Sequence, residues 1–535
     1  MDCTANRIPY RHTNYFSKIV LDYLDQPGKL EPFFNFPPTI EGIKKTIEQR
    51  KAIPVDRQLL VAELRKQYAG INTDKAIDAN LNALLSGDTF TITTAHQPNI
   101  FTGPLYFLYK ILHAIKLAEY LAESLPGNKF VPVYYMGCED ADLDELGHIY
   151  LNGEKLSWQT KQTGAVGRMK IDKELLKIIE IMEGQLLAEP HGREVIELIR
   201  QSYKAGDTIQ LATFRIVNAL FGRYGLIVLI PDNAAFKKQM MAVFEDDILH
   251  QQPSAIVGNT SARLEELYKV QANPREINLF YLKDNIRARI EVKGDKYEVL
   301  NTELSFTKDE LLAELNDHPE RFSPNVILRG LFQETILPNI AFIGGGGELA
   351  YWLQLKELFS HYKVSYPVLL LRNSFLLVEE KWQQKIVKLG FDSIDFFLPE
   401  QELLNKLVAR DSKHETKLNG SLVQVEELYN NFKKQAAEID ATLAPHVDAL
   451  KTRSLQRLQE LEKKMLRAEK RKFAEQLRHI QVIREKLFPK NSLQERIDNF
   501  SYYYAKWGRE LIDKLYGQSL SLESEFVILD ENEYK

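Results

Sequence analysis

The chain has 535 residues, of which 44% are hydrophobic and 27% charged, with a formal net charge of −5. That composition excludes a disordered chain and predicts three or four folded domains at about 150 residues each. Its two cysteines, Cys3 and Cys138, exclude a disulfide framework and a four-cysteine zinc ribbon, and they predict a reducing, cytoplasmic setting. No basic segment followed by an apolar run is read at the N-terminus, and apolar stretches such as residues 226–230 are strand-sized, against the roughly 20 residues of a membrane span.

In chain order, residues 1–85 read as helical and irregular, with Pro37-Pro38 in a loop and an amphipathic run over 40–67. A β-branched run at 89–94 predicts a strand, followed by a polar loop over 96–104. A helix over 105–124 then places Leu108, Leu112, Ile115 and Leu121 on one face. The next strand, 130–136, ends in an acidic loop, so the unit is βαβ and implies a parallel sheet. Further buried strands are expected at 226–230, 325–329, 340–343 and 367–371, with helices at 208–221 and 348–359 between them. Continuous apolar strands alternating with helices predict an α/β fold whose sheet is covered on both faces. Two antiparallel excursions interrupt it. One is a hairpin around Asn152-Gly153, the other a set of strands over 278–300 with a Lys293-Gly294-Asp295-Lys296 turn.

Beyond residue 375 the pattern changes. From 423 to 487 glycine is nearly absent. Val447, Leu450, Leu458, Leu461 and Met465, then Phe473, Leu477, Ile480, Ile483 and Leu487, recur at three- and four-residue steps. With Pro445 as a break, this predicts one shorter helix and one of about 40 residues packed as a coiled coil or helical hairpin. A last helix-like segment covers 493–516. The expected organisation is an N-terminal helical segment (1–85), an α/β core (86–375) with inserts near 150–205 and 235–320, a connecting segment (376–420), and a helical coiled coil (421–535). Residues 445–490 hold 13 Lys/Arg against 6 Asp/Glu. This reads as a solvated helical face with pairs such as Glu460 and Lys464 rather than a nucleic-acid arm, because no aromatic or glycine-rich recognition module accompanies it.

Ligands of open α/β sheets bind at the carboxyl ends of the strands, and three loops leave such ends. The first, Thr94-Ala95-His96-Gln97-Pro98-Asn99-Ile100-Phe101-Thr102-Gly103-Pro104, runs into a helix. Proline suits a first helical position, and free N–H groups at the helix start beside His96 would receive a phosphate or carboxylate. Thr94, His96, Gln97, Asn99 and Gly103 are its candidates; a structural turn is the alternative. The second, Glu139-Asp140-Ala141-Asp142, precedes Asp144, Glu145 and His148. Clustered carboxylates repel, so they require a cation, an amine or a shared proton, unless a helix N-terminus stabilises them. The third, Gly344-Gly345-Gly346-Gly347-Glu348, leads to Tyr351 and Trp352. Its backbone would wrap an anion, although it lacks both the P-loop Gly-Lys-Ser/Thr and the dinucleotide fingerprint. Arg329, Asn339, Arg372 and Asn373 are expected to face the same cleft. Cys138 reads as an inert thiol beside Glu139. No His-Glu-x-x-His, zinc or other metal-ligand spacing and no Gly-x-Ser-x-Gly elbow occurs.

Together these loops resemble one family, the BshC proteins of bacillithiol biosynthesis, described as cysteine ligases. The carrying residues are Thr94-Ala95-His96-Gln97 with Phe101-Thr102-Gly103-Pro104-Leu105-Tyr106, and Glu139-Asp140-Ala141-Asp142 before His148-Ile149-Tyr150. With them go Leu337-Pro338-Asn339 leading to Gly344-Gly345, and Glu348-Leu349-Ala350-Tyr351-Trp352. The resemblance spans most of the chain. It implies a Rossmann-like core of nucleotidyltransferase type, inserted connecting segments, and a homodimer formed through the C-terminal helices. It also implies an amide-forming reaction that joins L-cysteine to glucosaminyl malate, with ATP and Mg²⁺ implied by fold analogy only. On that reading His96, Glu139 and Asp140 are the catalytic candidates. His96 would contact the nucleotide or its leaving group, Glu139 and Asp140 would orient the sugar amine or a metal, and Asp142 would assist binding. The glycine loop would close over the acyl centre. A non-catalytic nucleotide- or metabolite-binding coiled-coil dimer, and a ligase for a different amine, are the alternatives.

Overall fold

The computed structural model describes residues 3–25, 28–412, 414 and 417–532. Packing divides the chain into two bodies: Met1–Leu377 with Ser492–Lys535, and Val378–Asn491.

The first body opens with strand β1 (Cys3–Pro9) and helices that include Lys18–Leu24, Ile40–Ala52 and Arg57–Tyr68. β2 (Thr89–His96), the helix Tyr106–Ser124 and β3 (Lys129–Met136) form the expected βαβ unit. The hairpin of β4 (His148–Leu151) and β5 (Glu154–Ser157) turns on Asn152 and Gly153 at φ 47° and 88°, a left-handed pair that suits the asparagine-glycine dipeptide. After β6 (Ile227–Leu229) an antiparallel sheet is built from β7 (Leu279–Lys283), β8 (Ile286–Lys293), β9 (Lys296–Val299), β10 (Ser305–Phe306) and β11 (Phe322–Pro324). The helix Val326–Ile336 then leads to β12 (Asn339–Gly344), β13 (Val368–Leu371) and β14 (Ser374–Val378). The chain re-enters this body at Ser492 and ends it with the helices Phe500–Trp507 and Arg509–Gln518 and with β15 (Glu525–Glu531).

The central sheet has the order β13-β12-β2-β3-β6, and every pairing is parallel. Succession runs outward from β2 in both directions, so the topological switch lies between β2 and β12, where a crevice opens at the carboxyl ends. All eight residues of β2 are buried, as a sheet covered on both faces requires. This is the Rossmann-like α/β architecture that the sequence predicts.

Several elements differ from expectation. Residues 325–329 are not a strand. Asn325 caps the helix Val326–Ile336, its Oδ1 accepting from the N–H groups of Ile327 and Leu328 at 2.8 and 3.4 Å. A short apolar run does not distinguish a buried strand from a buried helix, and Ile327, Leu328, Leu331 and Phe332 are all fully buried. The helix expected over 348–359 is two, Gly346–Trp352 and Lys356–His361, and the terminal helix-like segment is also two. Strand β1 was hidden in a segment read as helical and irregular; its partner in an antiparallel ladder is β15, at the other end of the sequence.

Beneath the sheet lies a buried polar network. Asn339 Oδ1 accepts from the hydroxyls of Thr91 and Thr93 at 3.2 and 2.8 Å, and its amide donates to Glu334 at 2.8 Å. Gln333 also donates to Glu334 at 2.9 Å, and the Arg50 guanidinium donates to the carbonyls of Glu334 and Leu337.

The second body is helical: Glu380–Lys388, Glu400–Asp411, Asn419–Ile439, Ala444–Lys470 and Ala474–Leu487. The expected helix of about 40 residues is broken by a 3-10 turn at Arg471–Phe473. Asn419–Ile439 and Ala444–Lys470 form an antiparallel hairpin, joined by Tyr429 and Ser454 hydroxyls at 2.7 Å and by Lys433 to Asp448 at 2.6 Å.

Burial raises the Glu334 carboxyl to about 7, with Arg50, Gln333 and Asn339 opposing the shift. The native state therefore holds this proton more tightly than the unfolded chain. Its contribution to stability is full below the unfolded value near 4.5 and declines as pH climbs to 7. Glu334→Gln removes that loss. Urea denaturation at pH 5 and pH 8 should show the variant gaining on the wild type by roughly 3 kcal/mol across the interval; a pH-independent difference would exclude this carboxyl as the source.

Candidate active site

At the end of β2 the Thr94 hydroxyl donates to Ile343 O at 2.9 Å, stitching β2 to β12 rather than facing a ligand. The loop beyond turns sharply through Phe101, Thr102 and Gly103, at φ 50°, 69° and 65°. A Cβ on Gly103 would lie 2.7 Å from Asn99 Cβ, so glycine is required there and Asn99 packs against it. The helix start expected to bind an anion is occupied by protein. Leu105 N–H donates to Asp498 O at 2.8 Å, Phe101 N–H to the Tyr203 hydroxyl at 2.7 Å, and Asn499 Nδ2 to Phe101 O and Gly103 O at 2.9 and 2.6 Å. The helix begins at Tyr106, so Pro104 precedes its first turn. His96, by contrast, lies where the loop leaves the sheet, with ring contacts to Tyr106 and Phe107 at 5.2 and 5.4 Å. Its Nε2 is buried and has no hydrogen-bond partner among the described residues. Burial, followed by Lys110, Arg372 and Arg329, drives its imidazole well below the usual value, so it is neutral at pH 7.

The acidic loop after β3 finds its cation in Lys237, a fully buried lysine that pairs with Glu139. Next to it Asp232 takes Arg168 through two hydrogen bonds of 2.6 Å. Asp140 accepts from Gln97 Nε2 at 3.2 Å and from Asp142 N–H at 3.3 Å. Asp142 itself caps the short helix Leu143–Leu146 by accepting from Glu145 N–H at 3.1 Å. Burial raises the Glu145 carboxyl, with Asp142 and Asp140 adding repulsion. Burial likewise pushes the Cys138 thiol up, in keeping with the inert thiol expected from the sequence.

At the glycine loop, Gly345 N–H donates to Glu348 Oε2 at 2.8 Å, and the same carboxylate pairs with Lys110. Lys110 is buried in the helix Tyr106–Ser124 and also donates to Ala95 O at 2.7 Å. A Cβ on Gly344 would meet Phe342 at 2.9 Å, and Trp352 stacks on Phe342 at 4.4 Å inside the core. Arg329 donates to the Tyr351 hydroxyl. Arg372 lies 4.9 Å over the Tyr106 ring and donates to Glu495 at 2.7 Å. Asn373 serves the scaffold through Leu520 O at 3.0 Å.

These loops enclose a cavity of about 520 Å³. Of the residues proposed from sequence, His96, Gln97, Glu139, Asp140, Arg329, Gly345, Gly346, Gly347, Glu348, Tyr351 and Arg372 line it. Thr94, Asn99, Gly103, Asp142, Asn339, Gly344, Trp352 and Asn373 do not; they build the turns and core that hold the lining in place. Sequence reasoning missed Tyr106, Lys110, Tyr135, Arg287, Asn325 and Arg496, which also line the cavity. Lys110 did leave a signal, as a charge in the otherwise apolar run Phe107-Leu108-Tyr109-Lys110-Ile111-Leu112. Arg287 and Arg496 arrive from distant segments and left none. Arg287, Arg329 and Arg496 have no carboxylate partner among the described residues, so the cavity offers positive charge to an anion beside the carboxylates of Glu139, Asp140 and Glu145.

Two family descriptions match in succession. "Bacillithiol biosynthesis BshC, N-terminal Rossmann-like domain" covers residues 1–373, and "Bacillithiol biosynthesis BshC, C-terminal coiled-coil domain" covers 375–531. The chain belongs to the BshC family. Among curated relatives, the "Putative cysteine ligase BshC" of Flavobacterium psychrophilum is 39% identical over 98% of both chains. Proteins of the same name from Flavobacterium johnsoniae and Christiangramia forsetii are each 39% identical over 98% of this chain and 99% of their own. The parallel sheet and the helical hairpin thus correspond to the family's two named parts. Among the described residues no helix is long and apolar enough to cross a membrane.

Lys110→Met would leave the Ala95 carbonyl and the Glu348 carboxylate without their cation, at a cost of about 2–4 kcal/mol. Adding Glu348→Gln should recover part of the loss in a double-mutant cycle followed by chemical denaturation; strict additivity would mean that the pair does not couple.

Proposed function

We propose that this protein forms an amide between the carboxyl of L-cysteine and the amine of glucosaminyl malate, giving bacillithiol. The reading rests on near-full-length likeness to proteins named as cysteine ligases. The observation that carries it is the composition of the cavity at the sheet's switch point: carboxylates for an amine, arginines for anions, and a neutral imidazole whose Nε2 has no hydrogen-bond partner among the described residues.

A free carboxylate is a poor acyl donor, and ATP with Mg²⁺ supplies the leaving group that makes cysteine's carboxyl reactive. The residues fit such a group: Arg287 and Arg329 would be the cations for phosphate oxygens, and Asp140, held by Gln97 and a backbone amide without an ion pair among the described residues, would be the carboxylate open to a metal or an amine. Within this frame the chain's own groups divide the work. His96 is too weak a base to store a proton at neutral pH, so it hydrogen-bonds the leaving group through Nε2. Glu139 is occupied by Lys237 and orients the amine electrostatically. Asp140 accepts the proton that the amine loses as the C–N bond forms. The hairpin of the second body forms a homodimer through exposed apolar residues such as Val423, Phe432 and Ile439.

Purified protein incubated with L-cysteine, glucosaminyl malate and Mg·ATP should yield bacillithiol by mass spectrometry, with AMP or ADP reporting the activation route. His96→Gln and Asp140→Asn should each lower kcat by about a hundredfold or more while the thermal melt is kept. Full turnover in both variants would remove these assignments, and product with a different amine would redirect the acceptor.

A further inference from the structure

The cations of the cavity are not equally engaged. Lys110 is paired with Glu348 and Arg372 with Glu495. Arg287 lies 3.9 Å over the Phe280 ring and reaches Ser323 Oγ at 3.4 Å, and Arg329 is held by the Tyr351 hydroxyl. The Arg496 side chain is exposed at the edge of the cavity that it helps to line, and it makes no hydrogen bond, ion pair or ring contact among the described residues.

Its backbone is tightly mounted. Arg496 N–H donates to Leu493 O at 2.9 Å. Gln494 accepts from Leu377 N–H and donates to Leu377 O, both at 3.0 Å. Glu495 takes Arg372 on one oxygen at 2.7 Å and Phe375 N–H on the other at 3.2 Å. Three residues on, Asn499 N–H donates to Tyr150 O at 2.9 Å. A long, rotamer-rich side chain is thus presented from a fixed base; desolvation and repulsion from Arg372 disfavour its charge, and Glu495 and Tyr106 oppose that only in part. An oxyanion between the two guanidinium groups would relieve that repulsion and complete the charge-assisted hydrogen bonds that Arg496 lacks.

We propose that Arg496 is a substrate-binding residue that takes an oxyanion, a carboxylate or a phosphate, in the cavity, and that the Glu495–Arg372 ion pair sets its position. The two sources of that oxyanion are the malyl carboxylates of the amine substrate and the phosphates of the nucleotide. The assignment rests on the ligase reading. Isothermal titration of the full-length protein with glucosaminyl malate and, separately, with Mg·ATP distinguishes them. Arg496→Gln should weaken one ligand by about tenfold or more and spare the other, and the weakened ligand names the source. Arg496→Lys should recover part of the affinity. The same variant should raise KM for that ligand more than it lowers kcat, with an unchanged thermal melt. Wild-type affinity for both ligands in Arg496→Gln would overturn the assignment while leaving the ligase reading intact. Failure of the wild-type protein to bind either ligand would defeat the ligase reading and this inference with it.

Discussion

The site depends on one buried ammonium group. Lys110 rises from a helix whose buried residues are mostly apolar and binds the carbonyl of Ala95, at the end of β2, together with the carboxylate of Glu348, in the first turn of the helix Gly346–Trp352 that follows β12. Those two strands flank the topological switch, so a single cation joins both lips of the crevice to the helix behind it. Burial lowers the Lys110 pKa and Glu348 opposes the shift. An ammonium in such a place is tolerable only while both acceptors remain. Glu348 in turn receives the Gly345 N–H, which fixes the glycine turn. Of the four successive glycines, Gly344 ends β12 and Gly346 and Gly347 begin the helix, so Gly345 alone joins them, held by the Glu348 side chain of that helix.

Around this tie the cavity is built from charges in matched sets: Glu139 with Lys237, Asp232 with Arg168, Arg372 with Glu495. Each pair satisfies groups that could not be buried singly. Burial, and after it the cations Lys110, Arg372 and Arg329, keep the His96 imidazole neutral. The neutrality follows from the neighbours and not from the histidine's own loop. It sets which proton transfers the group can perform.

The parallel sheet, the βαβ unit and the three lining loops were legible because their signals are local: β-branched runs, an acidic tetrapeptide, a glycine run between a strand and a helix. Where the reading failed, the deciding contact was distant. The helix start after Gly103 looked free to bind an anion, but its N–H groups and carbonyls are taken by Asp498, Tyr203 and Asn499, none of which a local pattern can place there. Asn339 and Trp352 sit inside the most distinctive motifs and serve the core, because a motif records which residues occur together and not which of them face solvent. Residues 325–329 read as a strand because so short an apolar run, with Ile327 and Leu328 buried, shows no period that separates helix from strand.

The order of the chain adds a constraint that no single loop reveals. Arg372 is buried beside the site, and its carboxylate partner Glu495 is separated from it in sequence by the whole of the second body. β1 likewise waits for β15. A chain stopped before Ser492 would therefore carry an unpaired buried guanidinium, an unpaired edge strand and an unbraced loop at residues 101–105. The start of the helix that follows that loop would also lack the Asp498 carbonyl. Pairings of such long sequence separation form late, since loop closure must precede the contacts that reward it. The crevice is thus completed by a segment more than a hundred residues beyond its other walls in the sequence. Substitutions at Gln494, Glu495, Asp498 and Asn499 consequently act on the site through its geometry, even though the residues most evidently suited to chemistry lie far earlier in the chain.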